Sequence, residues 1–117
     1  MAADDAPILI AKLATALWRM RRRFVHLPIG ELPDALRRAV RDAEAMMELL
    51  HEHAVEVQDH TGDAYDATLS LRVAAFEPRS ELEQERVLET LQPTVYYRDQ
   101  RIQVGEVIVG IPERASQ

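Results

Sequence analysis

The stretch 51-HEHAVEVQDHTGDAYDATLSLRV-73 decides the fold. Upstream of Ala54, apolar residues recur every three or four positions. From Val55 onward they recur every second position, through VEVQ, LSLRVAAF, TVYY and IQVGEVIVG. The first period lays a stripe along a helix and the second lays one face of a sheet. The chain therefore reads as α+β, with a helical module over 1–54 and a small β-domain over 55–117, joined with almost no linker.

Working upstream from the join, Ile10, Leu13, Leu17, Met20, Phe24 and Leu27 are spaced 3-4-3-4-3, a heptad seam. Asp4, Asp5 and Pro7 suit the start of that helix, and Arg21, Arg22 and Arg23 suit its end, where the helix dipole favours cations. Pro28 and Gly30 stop it. Pro33 and Asp34 open a second helix, in which Leu32, Leu36, Ala39, Ala43, Met46 and Leu50 repeat at 4-3-4-3-4 and Val40 and Met47 widen the stripe. Two such helices joined by a short turn make a hairpin that leaves half its apolar surface wet. Pairing two hairpins into a symmetric four-helix bundle covers it. The residues expected at that dimer contact are Leu13, Leu17, Met20, Phe24, Leu32, Leu36, Met46 and Leu50.

Downstream, Val55–Gln58 reads as a first strand and Thr61-Gly62-Asp63 as a turn. Leu69, Leu71, Val73 and Ala75 alternate with Ser70, Arg72 and Ala74 as a half-buried strand, which Glu77-Pro78-Arg79-Ser80 ends. ELEQERVLETL suits either a helical turn or a strand over 87–91. Thr94–Tyr97 and Ile102–Val109 read as strands flanking a four-residue loop, Arg98-Asp99-Gln100-Arg101. Gly105 marks a bulge or a close backbone approach.

The net charge of −6 is uneven. Residues 1–25 carry five basic and two acidic side chains, residues 26–117 nine basic and eighteen acidic. The β half is thus no general nucleic-acid surface. No cysteine is present, which removes disulfides, thiolate nucleophiles and zinc–sulfur sites. The apolar run Ile8–Trp18 is too short to span a bilayer and follows acidic residues, so it reads neither as a membrane helix nor as a signal peptide. These features suit a cytoplasmic protein.

Nothing in the chain assembles an active site. His51 and His53 are two apart on a helix and point different ways, with His60 and His26 elsewhere, so polar or capping roles are expected rather than a metal site. Asp59, Asp63 and Asp66 lack calcium-loop spacing. Ser70, Ser80 and Ser116 lack a nucleophile elbow, and no glycine-rich phosphate loop occurs. No enzyme activity and no cofactor are expected; the chain reads as a protein that touches another protein.

On HAVEVQDHTGDAYDATLSLRV and VLETLQPTVYYRDQRIQVGEVIVG, the β half resembles the C-terminal domain of the GrpE family, nucleotide exchange factors of DnaK-type chaperones. The family pattern has a helix end, Gly-Val-Glu-x-Ile, a short turn with Gly, then Phe-Asp-Pro. Ala54-Val55-Glu56-Val57, Gly62 and Tyr65-Asp66 stand in those places. Its closing block, Val-Leu-Gln-Lys-Gly-Tyr-x-Leu-x-Gly-Arg-x-Ile-Arg-Pro-Ala-x-Val-x-Val, is laid on Leu88–Val109 so that it ends at Val109, matching Leu91-Gln92, Ile102, Val107 and Val109. LWRMRRRF and HLPIGELPDAL resemble the family's arginine-rich helix and its Leu-Pro turn. Ala67, Ser70-Leu71, Pro93-Thr94 and Gln103-Val104 depart from the pattern, and the family's long stalk helix is almost absent.

The resemblance implies a homodimer whose β-domains press on the nucleotide-binding domain of a DnaK-type ATPase and speed ADP release. It points to Leu91, Arg101 and Val109 for the partner-facing surface, with Tyr96 and Arg98 on the hairpin. A non-catalytic dimeric adaptor on the same fold is the alternative. A membrane-surface role for Trp18 and Arg19–Arg23 is less favoured, because the seam that would enter lipid is the one the bundle needs.

Overall fold

The computed structural model describes residues 5–113; the sequence readings at Asp4 and Ser116 lie outside them. The chain is α+β, with two helices followed by two three-stranded sheets. Helix α1 spans Asp5–Phe24, with Asp5 in its first turn and Arg21, Arg22 and Arg23 in its last. A short 3-10 turn, Ile29–Glu31, leads to α2, Asp34–Glu52. The strands are β1 (Val55–Gln58), β2 (Arg72–Arg79), β3 (Arg86–Gln92), β4 (Thr94–Tyr97), β5 (Gln100–Gln103) and β6 (Glu106–Pro112).

Two compact units form, and they do not divide at residue 54. The first takes the chain through Val57 together with Val95–Ile102; the second takes Gln58–Thr94 and the chain from Gln103 onward. Part of the period-2 half therefore belongs with the helices. The reason is visible in the first core. Ala14, Val55 and Val95 are buried together, with Ile10, Leu50, Val57, Tyr97 and Ile102 against them. The sheet β1-β4-β5 offers alternate residues to this core, as the pleat requires.

Each helix buries a narrower face than its apolar pattern covers. On α1 the buried residues are Ala11, Ala14, Thr15 and Trp18; on α2 they are Val40 and Ala43. At 100° per residue, Leu13, Leu17, Met20 and Phe24 centre about 120° round α1 from Ala11, Ala14 and Trp18, and Leu17, Met20 and Phe24 are half-buried. Leu13 is 52% exposed, and Leu36 and Met46 are exposed as well. The heptad seam is thus not the contact the hairpin makes with itself. Small residues and one tryptophan serve that contact, and Arg21 joins Glu44 across it at 2.7 Å.

In the second unit the strand order is β2-β6-β3, with β2 parallel and β3 antiparallel to the central β6. Val87, Val107 and Val109 form its core, and Tyr65, Leu71, Val73 and Ile111 pack on it. Strand β2 runs past Pro78, where the sequence suggests an end. An edge strand tolerates Pro because one row of its backbone donors needs no partner. The charged segment before Val87 resolves as a turn followed by β3. Gly62, Asp63 and Tyr65 clip onto the outer side of β3: Gly62 N–H donates to Val87 O at 2.8 Å and Val87 N–H to Asp63 O at 2.9 Å.

Candidate functional site

The β4–β5 hairpin presents three of the residues singled out in the sequence. Its loop is two residues, not four. Arg98 and Asp99 both have positive φ, 51° and 66°, the pair of left-handed residues that a type I′ turn demands. Such a turn sets Tyr97 opposite Gln100 and Tyr96 opposite Arg101. Tyr97 faces the first core, so Tyr96 and Arg101 share the opposite face of the hairpin. Arg98 stands at the tip, exposed, with its guanidinium 5.0 Å from the Tyr97 ring centroid. A cation held over an aromatic face has fewer rotamers to lose on meeting an acidic group. This hairpin can bind a protein surface by charge and stacking; it holds no nucleophile.

The other two sequence-stated positions behave differently. Leu91, on β3, is half-buried. Val109 is 0% exposed and lies in the core of the second unit, so its side chain is not a partner contact. Alternation decides this: Val107, Val109 and Ile111 share the inward face of β6. Leu91 and Val109 belong to the second unit and Tyr96, Arg98 and Arg101 to the first.

Sequence reading did not anticipate the polar cluster around Thr94 in the second unit. Thr94 is buried, and its Oγ1 accepts the Gly105 N–H at 3.1 Å. The same hydroxyl is hydrogen-bonded to His60 Nε2, 2.7 Å away. His60 Nδ1 lies 3.9 Å from Asp63 Oδ2. Thr90 extends the cluster, accepting the His60 N–H at 3.0 Å, and Thr61 N–H is held by Asp59 at 2.9 Å. Gln103 donates to Pro93 O at 2.9 Å and Gln92 to Val104 O at 3.0 Å. A Cβ on Gly105 would stand 2.5 Å from Thr94 Oγ1 and 3.2 Å from the His60 ring, so this glycine marks a close approach. Ile102–Val109 is accordingly not one strand: it breaks at Val104–Gly105 into β5 and β6, which belong to different sheets. The triad-like order Asp63, His60, Thr94 offers no nucleophile, since the threonine oxygen is buried and already bonded.

The turn at Asp66 carries a carboxyl whose titration departs from its ordinary value. Thr68 donates its hydroxyl and its backbone N–H, the latter at 2.8 Å, to Asp66 Oδ1. Both bonds favour the carboxylate, so its pKa lies below 3.8. Among the described residues, no group of three or more metal-ligating side chains converges. An open depression of 480 Å³ is lined by Glu81, Leu82, Glu83, Gln84 and Arg86, a single loop without paired acid and base. No protein-family model matches the chain, and no curated protein matches it.

Proposed function

We propose that this chain is a GrpE-like co-chaperone, a cytoplasmic homodimer that speeds ADP release from a DnaK-type ATPase. The observation that carries the reading is backbone conformation. Four described residues have positive φ: Ala54 at 66°, Gly62 at 90°, Arg98 at 51° and Asp99 at 66°. The family pattern places Gly at positions 54, 62, 94 and 99, and three of these four, 54, 62 and 99, have positive φ here. Gly adopts that conformation without a steric penalty of about 1 kcal/mol, so a pattern of glycines is in part a pattern of backbone shape. Three of the four glycines are gone here, and at two of those three positions, Ala54 and Asp99, the left-handed backbone is kept.

The mechanism is population shift. The factor binds the open-cleft state of the ATPase more tightly than the closed, ADP-bound state, and no covalent chemistry is involved. Tyr96, Arg98 and Arg101 on the hairpin of the first unit are the contact residues, and half-buried Leu91 is the candidate contact of the second unit. Leu13, Leu17, Met20, Phe24, Leu32, Leu36, Met46 and Leu50 form the dimer seam, with Leu50 also packing in the protomer's own core.

One observation favours the adaptor alternative. The positions where the chain departs from the pattern, Pro93-Thr94 and Gln103-Val104, bond inward: Gln103 to Pro93, Gln92 to Val104, and Thr94 to His60 and Gly105. Side chains committed to one another are not offered to an ATPase. The two readings separate in one experiment: release of labelled ADP from the DnaK-type ATPase of the same cell, with and without the chain. Exchange predicts acceleration that Arg98→Glu and Arg101→Glu abolish. No acceleration at a saturating concentration of chain contradicts exchange and leaves the adaptor.

A further inference from the structure

The turn that joins the two helices is the least ordinary surface of the first unit. Its sequence is 24-FVHLPIGELP-33, and loops that face only water are seldom this apolar. Val25 is 61% exposed, Leu27 42% and Ile29 49%, all beyond the last residue of α1. Trp18, the residue the sequence suggests as an interfacial anchor, is not available. It is buried, with the Arg22 guanidinium 4.5 Å from its ring centroid.

The charge around this turn is concentrated. Residues 19–41 hold seven arginines, Arg19, Arg21, Arg22, Arg23, Arg37, Arg38 and Arg41, against Glu31 and Asp34, a net +5. The rest of the chain therefore carries −11 of the total −6. Arg21 pairs with Glu44 outside that window and Arg37 with Asp34 inside it, which still leaves an excess of positive charge. The arginines sit on both helices, within about 10 Å of the turn at 1.5 Å per residue. Apolar side chains at the apex and arginines behind them on each side repeat the layering of an anionic bilayer surface.

Part of the turn's backbone is already satisfied without water. Pro28 and Pro33 have no N–H to desolvate. Val25 N–H donates to Arg22 O at 3.4 Å, Leu27 to Phe24 O at 3.1 Å, Glu31 to Pro28 O at 3.0 Å and Leu32 to Ile29 O at 3.2 Å. Donors already bonded within the loop lower the cost of leaving water.

We infer that the hairpin apex docks on anionic membrane surfaces, with Val25, Leu27 and Ile29 entering the headgroup–acyl boundary and the arginine collar meeting lipid phosphates. A folded acidic partner would have to supply both an apolar floor and a double row of carboxylates, whereas a bilayer supplies both layers without a dedicated pocket. The inference is independent of the exchange reading. It concerns a surface contact only, since no helix among the described residues is long and apolar enough to cross a membrane.

The experiment is flotation of the full chain with vesicles of phosphatidylcholine alone or mixed with phosphatidylglycerol, at low and high ionic strength. The chain is expected to float with the mixed vesicles at low salt and not with phosphatidylcholine alone. The double variant Leu27→Ser, Ile29→Ser should lower partitioning at least about tenfold, with helix content and oligomeric state unchanged. The triple variant Arg23→Gln, Arg38→Gln, Arg41→Gln should lower it about a hundredfold. Tryptophan introduced by Ile29→Trp should be quenched by lipids brominated near the headgroup. Failure to float with phosphatidylglycerol vesicles at low salt overturns the inference. So does equal flotation of the serine variant and wild type, which means adsorption by charge alone. Binding to soluble polyglutamate that competes fully with the vesicles overturns it too, and assigns the patch to an acidic protein.

Discussion

The two units solve the burial problem in opposite ways. In the second, Val87, Val107 and Val109 are sealed under Tyr65, Leu71, Val73 and Ile111, and the core closes within one chain. In the first, the helices bury mainly alanines, a threonine, a valine and one tryptophan, and leave larger side chains outside. Nine of the eleven exposed large hydrophobics lie at or before Leu49; only Leu69 and Phe76 lie beyond it. An apolar residue left wet forgoes roughly 1.5–3 kcal/mol of burial. The helical unit is therefore the one whose stability depends on what covers it, and the sheet unit the one that stands by itself.

That contrast can be broken most sharply by placing one charge in each unit. Val109→Asp puts a carboxylate into a closed core and should cost about 4 kcal/mol or more, enough to unfold the second unit. Leu13→Asp puts the same charge on the open seam. It should leave the protomer's own closed core intact, dissociate the proposed dimer, and lower the melting temperature of the first unit only through the loss of that partner. Thermal melts and sedimentation of the two variants check both halves of the statement. Leu17→Asp or Leu36→Asp should behave as Leu13→Asp does.

The next effect concerns the packed glycine. Gly105→Ala drives a methyl into the Thr94 hydroxyl and the His60 ring and should cost about 1–3 kcal/mol by overpacking. A smaller penalty for Gly105→Ala in a Thr94→Ala background, where Oγ1 is gone, read by denaturant melts, would place the strain at that contact. The sign reverses at Ala54, where the helical unit turns into β1 at φ 66°. Ala54→Gly should stabilise the chain by about 1 kcal/mol, because glycine pays no penalty for left-handed backbone. No gain in melting temperature would mean that the bend at the join is not strained.

The smallest effect is the acid-side behaviour of Asp66. A carboxyl held below 3.8 in the folded state stabilises the fold above that value, and its contribution is lost as pH falls through the lowered pKa. Thr68→Ala removes the hydroxyl donor and should move the Asp66 titration up toward 3.8 in an NMR pH series. An unchanged titration would show that the backbone bond alone holds the charge.

These contrasts also explain what the sequence disclosed. The change of period at Ala54 located the start of β1 to the residue and the end of α2 to within two residues, because a strand of alternating valines leaves a local mark. The sheet partners left none. Pro78 looked like an end, yet β2 runs through it because β2 is an edge, and edge status is a property of the whole sheet. Ile102–Val109 looked continuous, and only the approach of Thr94 and His60 to Gly105, from distant parts of the sequence, divides it. On α1 the heptad pattern drew attention to the large residues, while the protomer's own contact uses Ala11, Ala14 and Trp18. At the candidate site, the hairpin position of Tyr96 and Arg98 was legible from strand and loop spacing, while Arg101 was singled out only by the family resemblance. Val109 was not separable from its half-buried neighbour Ile108, since inward and outward positions of an apolar strand read alike.

Sedimentation equilibrium of the wild-type chain tests the central contrast most directly. A helical unit that finds the rest of its core in a second copy predicts a dimer of about twice 13.3 kDa at micromolar concentration, converted to monomer by Leu13→Asp. A wild-type chain that sediments as a monomer of 13.3 kDa throughout that range would contradict it.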